Sequence, residues 1–359
     1  MNMLHGRYLF LILFILLITG CKKVFYKHEV KELDFVNQAR KSVSLEELNY
    51  APLGMTDIAT FGDYIFVTTS DPSGFLKVYD INEGKEVASI CLKGRAENEF
   101  ISATLIGEQI YTIEGEIILP LIDNNSLLKE VNITQSILRG NAVIKTVSKC
   151  VDPINGDFAL LNNSVTKRFI YTRPYITNEV SQPSKYYYQE AGKDNVEIPI
   201  YKDIVEGDDR VTMYVQYLGI VEKHPSKNLM IQPLQNMKYI LFFDYDNDNY
   251  FAIHQDGARS FNDKIVTNGN YNPYSGIFGD VAVSNDYFFV NYGENYLDKP
   301  DSGINAEILI FDWDGNYING FVSDIKVHRI TYNESKQTLY CATIGEEKIY
   351  QIRLSDIMK

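Results

Sequence analysis

Six times along this chain the same short grammar returns. A polar turn leads into an apolar strand, a gap, a second apolar strand often closed by aspartate, and another turn. The first unit is the plainest: 63–70 reads as one strand, 75–80 as a second and 86–91 as a third, with Asn82, Glu83 and Gly84 turning between the last two. The remaining pairs are 109–113 with 117–123, 156–161 with 168–171, 228–232 with 239–244, 286–291 with 308–312, and 338–343 with 348–352. Two units nearly coincide, Asp-Tyr-Ile-Phe-Val at 63–67 and Asp-Tyr-Phe-Phe-Val at 286–290. A unit of about 40–50 residues is the length of a propeller blade.

The strands are near-continuous apolar runs. A sheet wet on one face would alternate apolar with polar residues, whereas a blade packed between two others has both faces covered. The pattern therefore predicts an all-β chain folded as a six-bladed β-propeller over residues 51–359; the inner strands of a β-sandwich share this look. A ring needs closure, because unpaired end blades expose strand edges. Too little chain follows Ile352 for an outer strand. An N-terminal strand is expected to complete the last blade, with residues 31–36 as first choice and 43–45 as second.

Residues 1–20 read as a signal peptide, with Arg7 ahead of an apolar run from Leu9 to Ile18 that is too short to span a bilayer. Leu17-Ile-Thr-Gly-Cys21 resembles a lipobox, which implies cleavage before Cys21 and lipid on its sulfur and amine. Two or more acyl chains anchor stably where one does not. Residues 21–50 are then tether and closing strand, and the membrane is a partner through lipid on Cys21. An ordinary signal peptide that happens to end in cysteine is the plainer alternative.

The formal charge is −13, and becomes −14 on loss of residues 1–20, since Arg7 is the one cation removed and no acid goes with it. Such a body repels nucleic acid and anionic surfaces, so no nucleic-acid partner is expected. Cys91, Cys150 and Cys341 sit in apolar strand contexts; three allow at most one bridge, and buried thiols are the simpler expectation.

After the first unit comes Gly94-Arg-Ala-Glu-Asn-Glu-Phe100. With the lipobox and the Ile-x-x-Phe-Asp strand ending, this loop resembles the TolB-like six-bladed β-propeller lipoproteins of the Bacteroides type. That family's loop commonly reads Gly-Arg-Gly-Pro-Asn/Gly-Glu-Phe. Ala96 and Glu97 depart from it, so the tight turn is expected to differ. The resemblance covers the mature chain and implies fold rather than activity. Surface-exported relatives carry acids after the lipidated cysteine; Lys22 and Lys23 point instead to the periplasmic side of the outer membrane.

Candidate binding residues follow from composition and spacing. Arg95 and Glu99 stand four apart in the loop and can pair, either as a ligand contact near the axis or as a clamp between blades 1 and 2. Tyr186, Tyr187 and Tyr188, with Tyr271 and Tyr274, offer faces for sugar or peptide stacking, or for packing between blades. Alternating acids at 244–249 resemble a calcium loop, but its sixth position is Asn249 and its twelfth is Gln255, so a polar hairpin is the better reading. The histidines at 28, 224, 254 and 328 form no zinc pattern, and no catalytic or cofactor motif is present. The expectation is a lipid-anchored envelope propeller that binds or scaffolds a protein, peptide or glycan. The alternative is a propeller-type lyase or lactone hydrolase with an axial divalent metal.

Overall fold

The computed structural model describes residues 26–50, 52–106, 109–124, 127–149, 156–163, 166–172, 175–176, 181–182, 185–190, 193–200, 219–235, 238–255, 278–293 and 306–358. Besides one two-stranded ribbon, these residues form six sheets, one per blade, as the repeat predicts. Blade 1 runs outward through Met55–Phe61, Tyr64–Thr69, Leu76–Asp80 and Lys85–Ile90. Blade 2 has a broken first strand, Ala103–Leu105 and Tyr111–Ile113, then Glu116–Asp123, Leu127–Asn132 and Ile144–Lys149. Blade 3 is Gly156–Leu160, Lys167–Thr172, Lys185–Glu190 and Val196–Glu197. Blade 4 is Glu222–Lys223, Leu229–Pro233, Tyr239–Asp244 and Asn249–Gln255. Blade 5 is Phe278–Val283, Tyr287–Tyr292, Glu307–Asp312 and Tyr317–Ser323. Blade 6 supplies Arg329–Asn333, Thr338–Thr343 and Lys348–Arg353 itself. Among the described residues, no helix is long and apolar enough to cross a membrane.

The recurring aspartate has a local cause. Asp80 Oδ1 accepts the N–H groups of Asn82 and Glu83 (2.8 and 2.9 Å), and Asp312 Oδ1 those of Asp314 and Asn316 (3.0 and 2.8 Å). Each such side chain caps the hairpin between third and fourth strands, an Asx turn. Asp244 does the same through Asn247. The acids at 246 and 248 turn to Asn228 and Tyr250 instead, so 244–249 is a hairpin rather than a cation loop.

The blades are stitched by the N-terminal segment. Glu29–Leu33 adds a parallel fifth strand to blade 4, Lys41–Val43 a parallel fifth strand to blade 5, and Glu46–Glu47 the antiparallel fourth strand of blade 6. Closure by an N-terminal strand is as expected, but its residues are not. The stretch 31–36 lies mainly on blade 4, and Val43 ends the pairing with blade 5. The strand on the last blade is Glu46 opposite Gln351 and Glu47 opposite Tyr350. The segment covers three successive blades rather than one, and each blade it passes takes the next part of it.

Six buried apolar clusters fill the six seams. Seam 1/2 holds Phe66, Phe75, Leu121 and Val131; seam 2/3 holds Ile122, Leu128, Phe158 and Ile170. Seams 3/4, 4/5, 5/6 and 6/1 hold Phe169 with Phe243, Phe242 with Phe288, Phe289 with Tyr332, and Ile65 with Tyr340. The N-terminal segment buries one apolar side chain in each of the last four, Tyr26, Phe35, Leu45 and Tyr50 in turn, with partly buried neighbours such as Val30, Leu33, Val43 and Leu48 packed beside them. Phe35 is fully buried, its ring edge-on to Phe311 at 5.5 Å, and Gln255 Oε1 accepts the N–H groups of Phe35 and Val36 (2.9 and 2.8 Å). Arg40 returns to the Phe35 carbonyl (2.6 Å) and pairs with Glu307. Cys91 and Cys341 are free, buried thiols in different seams, as expected; Cys150 lies outside the described residues.

Truncating Phe35 to alanine is expected to cost about 3–5 kcal/mol, the range for a buried aromatic. Leu138→Ala, at a side chain 74% exposed, should stay within about 0.5 kcal/mol. Chemical denaturation of both variants checks this; equal midpoints would show that the segment is not integral to the ring.

Candidate functional site at the mouth of the axial channel

The first strand of each blade faces the axis, and in five of them a polar residue stands directly before a buried apolar one. This yields Asp57 before Ile58, Thr104 before Leu105, Asp157 before Phe158, Asp280 before Val281 and Arg329 before Ile330. These residues, with Glu222 of blade 4, line one cavity of about 210 Å³ on the axis. Four carboxylates and one guanidinium therefore converge from five blades.

Part of this polarity holds the ring together. Asp157 Oδ2 accepts the N–H of Val221 (3.3 Å), joining blade 3 to blade 4. Asp280 Oδ2 accepts the N–H of Ile330 (2.7 Å), joining blade 5 to blade 6. Asp57 Oδ1 meets Arg329 Nε at 3.2 Å across the seam of blades 6 and 1. The rest of the polarity faces the cavity. Enclosure pushes the Asp280 carboxyl up to about 7, with Asp57 adding to the rise and Arg329 opposing it. Burial likewise raises Asp57, against the pull of Arg329. One guanidinium thus serves two carboxylates that cannot both ionise cheaply in the same enclosed space.

The opposite end of the axis differs. A cavity of about 340 Å³ there is lined by Thr60, Gln109, Lys223, His224 and Tyr332, among others. Burial lowers Lys223 to about 8 and His224 to about 4. Lys223 Nζ donates to the His224 carbonyl (2.9 Å), and His224 Nδ1 accepts from Ser226 and Lys227 N–H groups (3.0 and 3.2 Å), so the imidazole is neutral. One end of the channel is acidic and the other carries a buried amine.

The residues singled out from sequence are dispersed. Arg95 is exposed, and no ion pair joins it to Glu99. The Glu99 carboxylate instead accepts the Ala96 N–H (2.9 Å) and fits against Gly94, where an added Cβ would lie 1.8 Å from Oε2. The loop is clamped to blade 2 by other atoms. Phe100 is fully buried, Lys129 Nζ bonds the Glu99 carbonyl and sits 4.7 Å from the Phe100 ring, and Lys129 pairs with Asp123 (2.9 Å), both buried. Asp123 Oδ1 also accepts from Ile101 and Ser102 (2.7 and 3.1 Å).

The three tyrosines form the third strand of blade 3 and serve its two seams. Tyr186 is buried toward blade 4, stacked on Tyr171 at 5.3 Å and donating to Gln232 Oε1 (2.6 Å). Tyr188 packs on the same side against Tyr245 at 4.5 Å, and Tyr187 packs toward blade 2. Tyr271, Tyr274 and Cys21 lie outside the described residues. Asp57, Glu222 and Asp280 fall in the gaps of the repeat, because in blades 1, 4 and 5 its paired runs are the second and third strands; Asp157 lies within the run 156–161, where nothing local marks it as axial. The available signal was Gly-Asp-apolar, at 156–158 and again at 279–281.

No family model matches the chain, and no curated protein does. Solved structures are similar at low identity. A Bacteroides fragilis protein described as exported is 12% identical, with a TM-score of 0.47, covering 88% of this chain and 87% of that one. Chaetomium thermophilum Raptor is 10% identical, with a TM-score of 0.46, over 86% of this chain and 29% of that one. The beta-propeller domain of Cps50 (Swd1) from Myceliophthora thermophila is 12% identical, with a TM-score of 0.38, over 84% and 83%. None of these carries a function to this chain.

A carboxyl held above its ordinary value keeps its proton in the folded state, so its stabilising protonation is full at low pH and is lost as pH rises toward 7. Relative to Asp280→Asn, the wild-type melting temperature should therefore fall between pH 5 and pH 8. Thermal melts across that range check it; a constant difference would contradict the raised pKa.

Proposed function

We propose that the protein is a lipid-tethered envelope propeller that binds a cationic group of a protein or peptide partner at the Asp57 mouth. The observation that carries the reading is the convergence of Asp57, Asp157, Glu222 and Asp280 on one axial cavity, with Arg329 alone opposing them. A lysine or arginine head entering the cavity would answer the excess negative charge, and an acidic body, of net charge −14 once residues 1–20 are lost, would steer it there. Lipid on Cys21 is supported by the Leu-Ile-Thr-Gly-Cys run behind its apolar stretch, and the periplasmic side by Lys22 and Lys23. Tyr186 and Tyr188 give a glycan little to stack on, since their rings are spent on seam 3/4.

The enzymatic alternative, a lyase or lactone hydrolase with an axial divalent metal, draws on the same carboxylates and on an Asp280 poised near neutrality. Against it, Arg329 stands where a metal's charge would be repelled. Among the described residues, no three His, Cys, Asp or Glu side chains are grouped to hold a metal ion.

Calorimetry with a lysine-rich decapeptide and a glutamate-rich one tests the binding reading. The basic peptide should bind, more tightly at pH 8 than at pH 6 as Asp280 ionises, and lose roughly tenfold, about 1.4 kcal/mol, in Asp57→Asn. Binding of the acidic peptide, or indifference to Asp57→Asn, would sink it. The mass of the mature N-terminus reports lipid on Cys21 separately.

A further inference from the structure

The point at which the chain joins the ring limits how the ring can sit on a membrane. Tyr26 is 1% exposed in seam 3/4, its hydroxyl donating to the Phe251 carbonyl (3.2 Å). The Lys27 N–H donates to the Ile200 carbonyl (2.9 Å). His28 packs on Tyr250 at 5.1 Å, and five successive pairs from Glu29 opposite Phe251 to Leu33 opposite Gln255 complete the attachment. This strand is the outermost of blade 4, so the chain meets the body at the rim and at neither channel end.

Residues 22–25 are all that separates Cys21 from Tyr26. Five residue steps span at most about 18 Å at ~3.6 Å each. A compact body of this length has a radius of gyration of about 20 Å, so lipid on Cys21 cannot reach around the ring. Charge acts in the same direction. The stretch from 22 to 31 holds Lys22, Lys23, Lys27 and Lys31 against Glu29 alone, in a chain that is strongly acidic overall. Lysines next to an anchor are drawn to anionic headgroups. Both Lys27 and Lys31 are exposed.

We infer that the rim at blades 3 and 4, around Lys27 and Lys31, is the surface that rests on the membrane, with the channel axis lying along the membrane plane. This rests on the lipidation of Cys21 proposed above. It leaves both channel ends open sideways to the aqueous compartment, so the acidic mouth would meet soluble partners or neighbours in the same membrane.

The test uses the full lipidated protein on vesicles of phosphatidylethanolamine and phosphatidylglycerol. A second form carries a 20-residue Gly-Ser insertion between Lys23 and Val24. Both are exposed to a membrane-impermeant amine reagent and read by peptide mass spectrometry. Lys27 and Lys31 should label at least threefold more slowly in the native tether than in the extended one. Lys85 of blade 1 and Lys348 of blade 6 should label alike in both. Equal rates at Lys27 and Lys31, or slowing at Lys85 as well, would overturn the orientation. The mass of the N-terminal peptide in the same digest reports Cys21, so failure of the lipid reading is seen apart from failure of the orientation.

Discussion

A blade in this protein has two apolar faces and no means of hiding either by itself. Phe66 and Val67 are neighbours on one strand, yet one is buried in seam 1/2 and the other in seam 6/1. The same division recurs at Phe242 and Phe243, and at Phe288 and Phe289, each pair split between successive seams. Burial of a large side chain is worth about 1.5–3 kcal/mol, and here that gain exists only while both neighbouring blades are in place. The ring is thus the smallest unit in which every strand is covered, and closure is a condition of stability rather than a finishing detail. That is why the chain commits its residues 26–50 to the four seams from 3/4 to 6/1, wedging Tyr26, Phe35, Leu45 and Tyr50 between blades in order.

Closing the ring brings the inner strands together at their starts, and there the chain places carboxylates. Asp157 and Asp280 show why these are tolerated: each uses one oxygen to receive an N–H from the next blade. An enclosed carboxylate is costly unless it is bonded or neutralised. The residue of that cost appears as the raised pKa of Asp280 and the sharing of Arg329 between two blades. A cationic ligand would relieve it. The same geometry that joins the blades therefore leaves an unbalanced negative field at the mouth, and the proposed binding follows from the fold's own construction.

Blade number and ring closure were legible because they depend on repetition, and the strand grammar survives local variation. The frame of the repeat was legible only in part. In blades 1, 4, 5 and 6 the paired runs are the second and third strands; in blades 2 and 3 they are the first and second, where 109–113 and 156–161 are inner strands. Apolar runs identify strands without saying which is central. Glu46–Glu47, the strand that completes blade 6, could not be read at all: two exposed glutamates carry no strand signal, and the pairing is set by the edge of Lys348–Arg353. The tyrosine run offered two readings on equal terms, since alternate strand residues face different seams only once both seams exist. The axial acids are spread over more than 200 residues of sequence, and only the ring makes them neighbours.

Native-state hydrogen exchange measures most directly whether the seams bind the blades into one cooperative unit. Amides of Tyr64–Thr69 in blade 1, Tyr239–Asp244 in blade 4 and Thr338–Thr343 in blade 6 should open with the same free energy, equal to that of global unfolding. Blades that open one by one, with blade 6 exchanging well before blade 4, would contradict the account.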